Sequence, residues 1–374
     1  MNLRERLFKA LAMEGRIEAL GIVSEALARG EDMAEHWMAL EVQQRISLVS
    51  LIDRCGTAAA RDCLRLLYSR EDDSRVAATI VKALGNYRDM SLVPLFLDAL
   101  NSEEPRIRAN AIEALDCHDD AEIRVGIRPL LYDMDNRVRA NAVKTLWDKD
   151  DPEVRDQALG MLRDEDLWVR TSAAYIIRHI PDSLFVDDLV RLLDDPFDSV
   201  REKAVAALGI IGDSRALMPL FNLLDRMPPP YIQSEILQAL SAIGGTEVAR
   251  KIEGYLRDQR EGLLIRQAIG ALGRCGDAET LSLLLELASH GNADEWICWE
   301  ALNAIENLGF SSVAGDVIDI AANPLETVSV REKASRVLRR IAGPEHIPYI
   351  LERLTDENMR LFEGVLDLLE GETR

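Results

Sequence analysis

The sequence predicts an all-α solenoid of about ten stacked two-helix repeats, each 31–33 residues long. Two observations carry this. First, an apolar residue opening a helical pattern recurs at Val76, Ile107, Val138, Val169, Val200, Ile232, Leu264, Ile297 and Val330, at intervals of 31, 31, 31, 31, 32, 32, 33 and 33 residues. Second, hydrophobic residues make up 48% of the chain but aromatics only 5%. That mixture suits small, closely packed helices and argues against a sandwich or barrel, which would want β-branched and aromatic strands. A separate observation bears on partners: the 65 acidic and 44 basic residues give a charge of −21. So strong a field disfavours nucleic acid and anionic membrane surfaces as partners.

Residues 1–60 lack the clean repeat and read as an N-terminal helical cap or degenerate repeats; residues 61–374 form the repeat array. Leu3, Leu7 and Leu11, with Phe8, share one helical face, and Ile46, Val49 and Ile52 another. The alternative for this segment is an amphipathic stretch that docks on a partner helix or membrane. Charges in the first turns argue against a signal peptide, and no apolar run is long enough to span a membrane. Five scattered cysteines without a C-x-x-C pair fit a reducing cytoplasm.

Counting from each opening residue as zero, apolar residues at 0, +4, +5 and +8 form the buried stripe of one helix. Position +4 is Ala111, Ala142, Ala173, Ala204, Ala268, Ala301 and Ala334, small enough for a neighbouring helix to approach. Gly212, Gly244, Gly276 and Gly309 at +12 predict left-handed helix ends. A second apolar segment precedes each such helix, with Pro94, Pro219 and Pro348 early in it, where a missing N–H is least costly. Leu361 opens a weaker terminal copy.

The Asp…Val-Arg-x-x-Ala-x-x-Ala-Leu-Gly core and the early proline resemble the HEAT-repeat family, in particular the short bacterial HEAT-like repeats of the phycobilin-lyase type. The likeness covers roughly residues 61–370. It implies that Arg108, Arg139, Arg170, Arg201 and Arg331 at +1, with the acids preceding them, form a structural inter-repeat ladder. It also implies that the opening helix lines the concave face.

Candidate partner-binding residues follow. Positions +3 and +6 lie off the buried stripe and should face that surface. Asn110 and Asn141 at +3 resemble the asparagine ladders with which armadillo repeats hold a peptide backbone, since an amide both donates and accepts. Tyr175 and Glu235 occupy the same rows. At +1, Arg gives way to Gln233, Ile265 and Cys298 where the spacing lengthens. Near there lie Met227-Pro228-Pro229-Pro230-Tyr231, Trp296 and Trp299, which suit an interface patch.

No catalytic residues are assigned. There is no H-E-x-x-H or P-loop, and Asp133-Met134-Asp135-Asn136 lacks the glycine of a calcium loop. His290 with Cys298 is the one thiol–imidazole pairing to check. The expectation is a non-enzymatic, cytoplasmic protein-binding scaffold or adaptor with no cofactor or metal. It would use an acidic or polar concave surface for a protein partner with a basic patch or tail. The alternative implied by the resemblance is a bilin lyase or chromophore chaperone, which would hold a linear tetrapyrrole and pass it to a client cysteine.

Overall fold

The computed structural model describes residues 3–12, 17–29, 33–118, 120–259, 261–289 and 294–372; Asp119 and His290 lie outside them. Among the described residues there are α-helices and short 3-10 turns, and no strand. Packing divides the chain into two units, Met1–Ile180 and Pro181–Arg374.

Unit 1 contains α1 (Leu3–Ala12), α2 (Ile17–Ala28), α3 (Val42–Cys55), α4 (Ala58–Tyr68), α5 (Ser74–Gly85) and α6 (Val93–Ala99). It continues through α7 (Pro105–Leu115), α8 (Ala121–Ile127), α9 (Asn136–Leu146), α10 (Pro152–Leu162) and α11 (Leu167–Ile177). Unit 2 contains α12 (Val186–Leu192), α13 (Asp198–Ile211), α14 (Leu217–Asp225), α15 (Pro230–Ile243), α16 (Thr246–Asp258) and α17 (Gly262–Cys275). It ends with α18 (Thr280–Ala288), α19 (Glu295–Leu308), α20 (Ala314–Ala322), α21 (Val328–Ile341), α22 (Ile347–Arg353) and α23 (Met359–Glu372).

Each odd-numbered helix from α5 onward opens with the Val-Arg-like step, and the even-numbered helix before it is its repeat partner. Aspartates start several of these helices. The Asp73 carboxylate accepts from the N–H groups of Arg75 and Val76, Asp135 from Arg137 and Val138, and Asp151 from Glu153 and Val154. Pro94, Pro219 and Pro348 stand where a 3-10 turn passes into α6, α14 and α22, so no helical hydrogen bond is lost.

Within each unit, successive odd helices from α3 onward pack on one another, whereas α16, α18, α20 and α22 touch their even neighbours sparsely. The odd helices therefore form the closely spaced inner layer of each unit. Close approach is built from a pairing the repeat pattern did not flag, +9 glycine against +7 alanine of the next helix. A Cβ on Gly85 would lie 2.9 Å from the Ala114 Cβ, one on Gly209 2.7 Å from the Ala239 Cα, and one on Gly273 2.8 Å from the Ala304 Cα. The +12 glycines divide. Gly212 and Gly309 are left-handed as expected, at φ 72° and 69°. Gly244 has φ 74° but an extended ψ, and Gly276 has φ −66°. At Gly276 the requirement is space: a Cβ would lie 2.5 Å from the Leu272 carbonyl oxygen.

The +1 arginines work mainly inside their own repeats. Nη1 of Arg108, Arg139, Arg170 and Arg201 donates to the carbonyls of Ser102, Asp133, Asp164 and Asp195, at 2.7, 2.6, 2.8 and 2.6 Å. Arg331 donates to Ala321 O at 3.1 Å. Arg108 also reaches the next repeat, with two 2.7 Å bonds to the Asp133 carboxylate. Burial alone would raise the Asp133 pKa; these bonds outweigh it and hold the carboxyl below the usual range. Gln233 keeps the arginine's role rather than relaxing it, donating to Pro228 O at 2.6 Å while its Oε1 accepts from the Tyr255 hydroxyl at 2.5 Å.

In unit 1, Trp37 is fully buried and its indole N–H donates to Glu71 Oε2 at 2.7 Å. Arg45 donates to Glu71 Oε1, also at 2.7 Å. This network ties residues 37–45 to the turn between α4 and α5.

Candidate inner-face binding site

The inner layer sets the geometry of any site. With 3.6 residues per turn, +3 lies about 60° nearer the buried stripe than +6. The structure follows that arithmetic: +3 side chains sit in the seams between inner helices. Asn110 and Asn141 are buried there, donating to the carbonyls of Ala78 and Ala109 on the preceding helix at 2.7 and 3.2 Å. Their expected role toward a partner's backbone is thus replaced by a role between repeats. Lys333, another +3 residue, is buried on Glu306 at 2.6 Å. Glu235 is half-buried.

The open line of each inner helix is instead formed by −1 and +6. In unit 1 the −1 residues are Arg75, Arg106, Arg137 and Trp168, all exposed, Trp168 to 64%. The +6 residues are Lys82, Glu113, Lys144 and Tyr175. Tyr175 is exposed and meets the His179 ring edge-on at 5.6 Å. Beside this line Lys82, Arg88, Asn110, Glu113 and Cys117 border a cavity of about 320 Å³.

In unit 2 the −1 row brings Tyr231, Leu263 and Trp296 onto successive helices α15, α17 and α19. Tyr231 is 50% and Leu263 59% exposed; Trp296 is half-buried. The Tyr231 hydroxyl donates to Asp198 at 3.0 Å. Trp296 and Trp299 line one shallow cavity of about 540 Å³ with Arg266, Glu300 and Asn303. The Arg266 guanidinium lies 5.4 Å from the Trp296 ring centre, and that of Arg336 5.3 Å from Trp299. The Trp299 indole N–H is held by Ser329 at 2.8 Å.

Of the acidic or polar inner surface expected, these rows present the polar kind. Among these −1 and +6 residues Glu113 is the one acid; exposed carboxylates stand in loops entering the inner helices, among them Glu103, Glu165, Glu261 and Asp294, and on the outer helices, as Asp187 and Asp319 do. The sequence reading missed Trp168 and Leu263. Both stand one residue before the opening apolar position, where the same wheel that places Tyr231 and Trp296 would have found them.

Burial pushes the Cys298 thiol up and the Cys275 thiol to about 11, so neither is a ready nucleophile near neutral pH. Among the described residues, no group of three His, Cys, Asp or Glu side chains could hold a metal ion, and no helix is long and apolar enough to cross a membrane.

A model of HEAT repeats matches residues 54–122, 126–209 and 186–269, more than half the chain. No functionally curated protein matches the sequence. Among solved structures, the karyopherin Kap121p bound to the SUMO protease Ulp1p is similar at a TM-score of 0.60 and 15% identity, over 96% of this chain and 50% of that one. Kap95p, solved with RanGDP, is similar at 0.55 and 15% identity, over 97% and 61%. This chain thus spans about half to three-fifths of those karyopherins. The CpcE–CpcF complex of phycocyanin lyase from a Nostoc species aligns over 74% of this chain and 94% of its own at 20% identity and a TM-score of 0.34. At such identities the karyopherin likenesses speak for fold alone. With the repeat spacing, the two helical layers and the family match in agreement, the chain belongs to the HEAT-repeat family.

Proposed function

We propose that this protein is a non-enzymatic protein-binding scaffold or adaptor. The observation that carries the reading is the −1 stripe of Tyr231, Leu263 and Trp296, two exposed large side chains and one half-buried one in register on adjacent inner helices. Scattered apolar residues on a surface need no explanation; a stripe repeated by the fold marks an interaction site, and Trp and Tyr are the side chains that anchor interfaces best. The acidic loop edges around it would steer a partner with a basic patch or tail and make its capture salt-sensitive. In this reading residues 1–60 cap the array and residues 61–374 carry the binding surface, in a cytoplasm that keeps the thiols reduced.

A tagged pull-down from native lysate, run at low and moderate salt with mass spectrometry, tests this against the Tyr231→Ser/Leu263→Ser variant. The expected result is a stoichiometric protein that falls away with salt and is absent from the variant. Capture that is identical on both proteins sinks the stripe as the site. Charge reversal at Asp187 and Asp194, the exposed members of the Asp187, Asp188, Asp194 and Asp195 cluster, tests the steering.

A further inference from the structure

The apolar stripe of unit 2 runs further than the −1 row alone. Five successive inner helices each show a large apolar or aromatic side chain within the three residues before the opening position. They are Phe197 at the start of α13, Tyr231 on α15, Leu263 on α17, Trp296 on α19 and Val328 on α21. Phe197 is 46% and Val328 66% exposed. Trp296 is half-buried and lies against α17, where a Cβ on Gly262 would come 3.6 Å from its ring.

The spacing of this stripe selects a backbone. Neighbouring inner helices stand ~8–10 Å apart, so a ligand must present one apolar side chain at that interval on one face. An extended strand returns to a face every second residue, after about 7 Å, and falls out of step within a few contacts. An α-helix returns after ~5.4 Å. A polyproline II helix has three residues per turn and rises about 3.1 Å for each, so every third side chain meets the same face after about 9 Å. About thirteen residues of it cover the four helix-to-helix steps.

Charge and hydrogen bonding fit the same occupant. Glu261, Asp294 and Glu295 stand exposed at the entrances of α17 and α19, with no ion pair among the described residues. The cations beside the stripe are engaged: Arg201 on Asp198, Lys203 on Glu202 at 2.7 Å and Arg266 on Glu300 at 3.3 Å. A polyproline II backbone makes no internal hydrogen bonds, so its carbonyls accept from outside. The Trp296 indole N–H and the exposed Gln238 amide, neither hydrogen-bonded among the described residues, are donors within the inner layer.

We propose that the stripe seats a basic, proline-rich segment of the partner in the polyproline II conformation. An apolar or prolyl side chain sits on the stripe at every third residue, and the side chain that follows, Lys or Arg, turns toward Glu261 and Asp294. The inference rests on the scaffold reading and gives its partner a chemistry.

The test is fluorescence anisotropy on the full chain at about 50 and about 300 mM NaCl. The probes are a labelled peptide of four Leu-Pro-Lys triplets closed by a fifth Leu, a permuted isomer whose leucines no longer recur every third residue, and the Leu-Pro-Gln counterpart. The Leu-Pro-Lys peptide should bind roughly tenfold more tightly than either control at low salt, and should lose that margin over the Gln peptide at high salt. Phe197→Ser/Val328→Ser and, separately, Glu261→Gln/Asp294→Asn should each weaken it several-fold with the circular dichroism spectrum unchanged. An isomer that binds equally well, affinity untouched by both double variants, or no binding up to about 1 mM overturns the proposal. The two readings fail differently. A lysate protein that is lost from Tyr231→Ser/Leu263→Ser, with no binding of the peptide, overturns the polyproline occupant alone, whereas capture identical on both proteins overturns the stripe itself.

Discussion

At the scale of single residues, the glycines give the sharpest prediction. Gly273 and Gly270 lie on one helix, yet a Cβ on Gly273 would press on the Ala304 backbone while one on Gly270 meets nothing nearer than Arg274 at 3.8 Å. Gly273→Ala should cost about 1–3 kcal/mol, because two helices must part. Gly270→Ala should be neutral or gain up to about 1 kcal/mol from helix propensity. Urea denaturation of both variants checks the pair, and equal effects would mean the seam is looser than described. Asp73 offers a pH test. Its bond to the Arg75 side chain, more than its backbone bonds, holds the carboxyl down at about 2, against roughly 3.9 in an unfolded chain. A depressed folded pKa gives stability that is present above the unfolded value and lost as pH falls through the folded one. The thermal midpoint gap between the wild type and Asp73→Ala should stay constant from neutral pH to about 5, then shrink toward pH 2. The asparagines teach a smaller lesson: Asn110 and Asn141 were legible as special, but which side of a helix seam they serve depends on the neighbouring helix.

At the scale of elements, the N-terminal segment is fastened by charge as well as by apolar packing. The Glu71 side chain is fully buried between the Trp37 indole and Arg45. Glu71→Ala would leave the buried Trp37 N–H unpaired and the buried Arg45 guanidinium with only the exposed Asp72 carboxylate at 3.6 Å, a loss of about 3 kcal/mol. A lowered midpoint with red-shifted Trp37 emission should report it; an unchanged midpoint would show that α3 holds without the network. Helix identity and repeat length were legible because period-3.6 burial writes itself into the sequence every 31–33 residues. The arginine's partners were legible only in part. A +1 guanidinium must find acceptors, but whether they are carbonyls of its own loop or carboxylates of the next repeat depends on how far the loop folds back.

At the scale of the molecule, charge is the governing quantity. A net −21 destabilises the folded chain by self-repulsion, so raising NaCl from about 20 to about 200 mM should raise the thermal midpoint by several degrees. A midpoint that falls with salt would mean that local ion pairs such as Arg108–Asp133 outweigh the long-range field. The sequence pointed to an acidic or polar inner surface. Folding places many carboxylates in loops and at helix starts, where Asp73, Asp135 and Asp151 cap N-termini, and leaves the −1 and +6 rows of unit 1 with paired and unpaired cations and those of unit 2 largely neutral and apolar.

The sequence by itself determined the all-α class, the repeat and its family, because a stripe that must be buried imposes its period on every copy. It also determined where helices begin, since aspartate caps act within a turn of their own position. The tertiary structure alone decided which side chains remain reachable. Exposure at +3, +6 and −1 differs by tens of degrees around a helix, and the seam between two inner helices consumes exactly that margin, covering Asn110 and Asn141 while leaving Trp168, Tyr231 and Leu263 in the open.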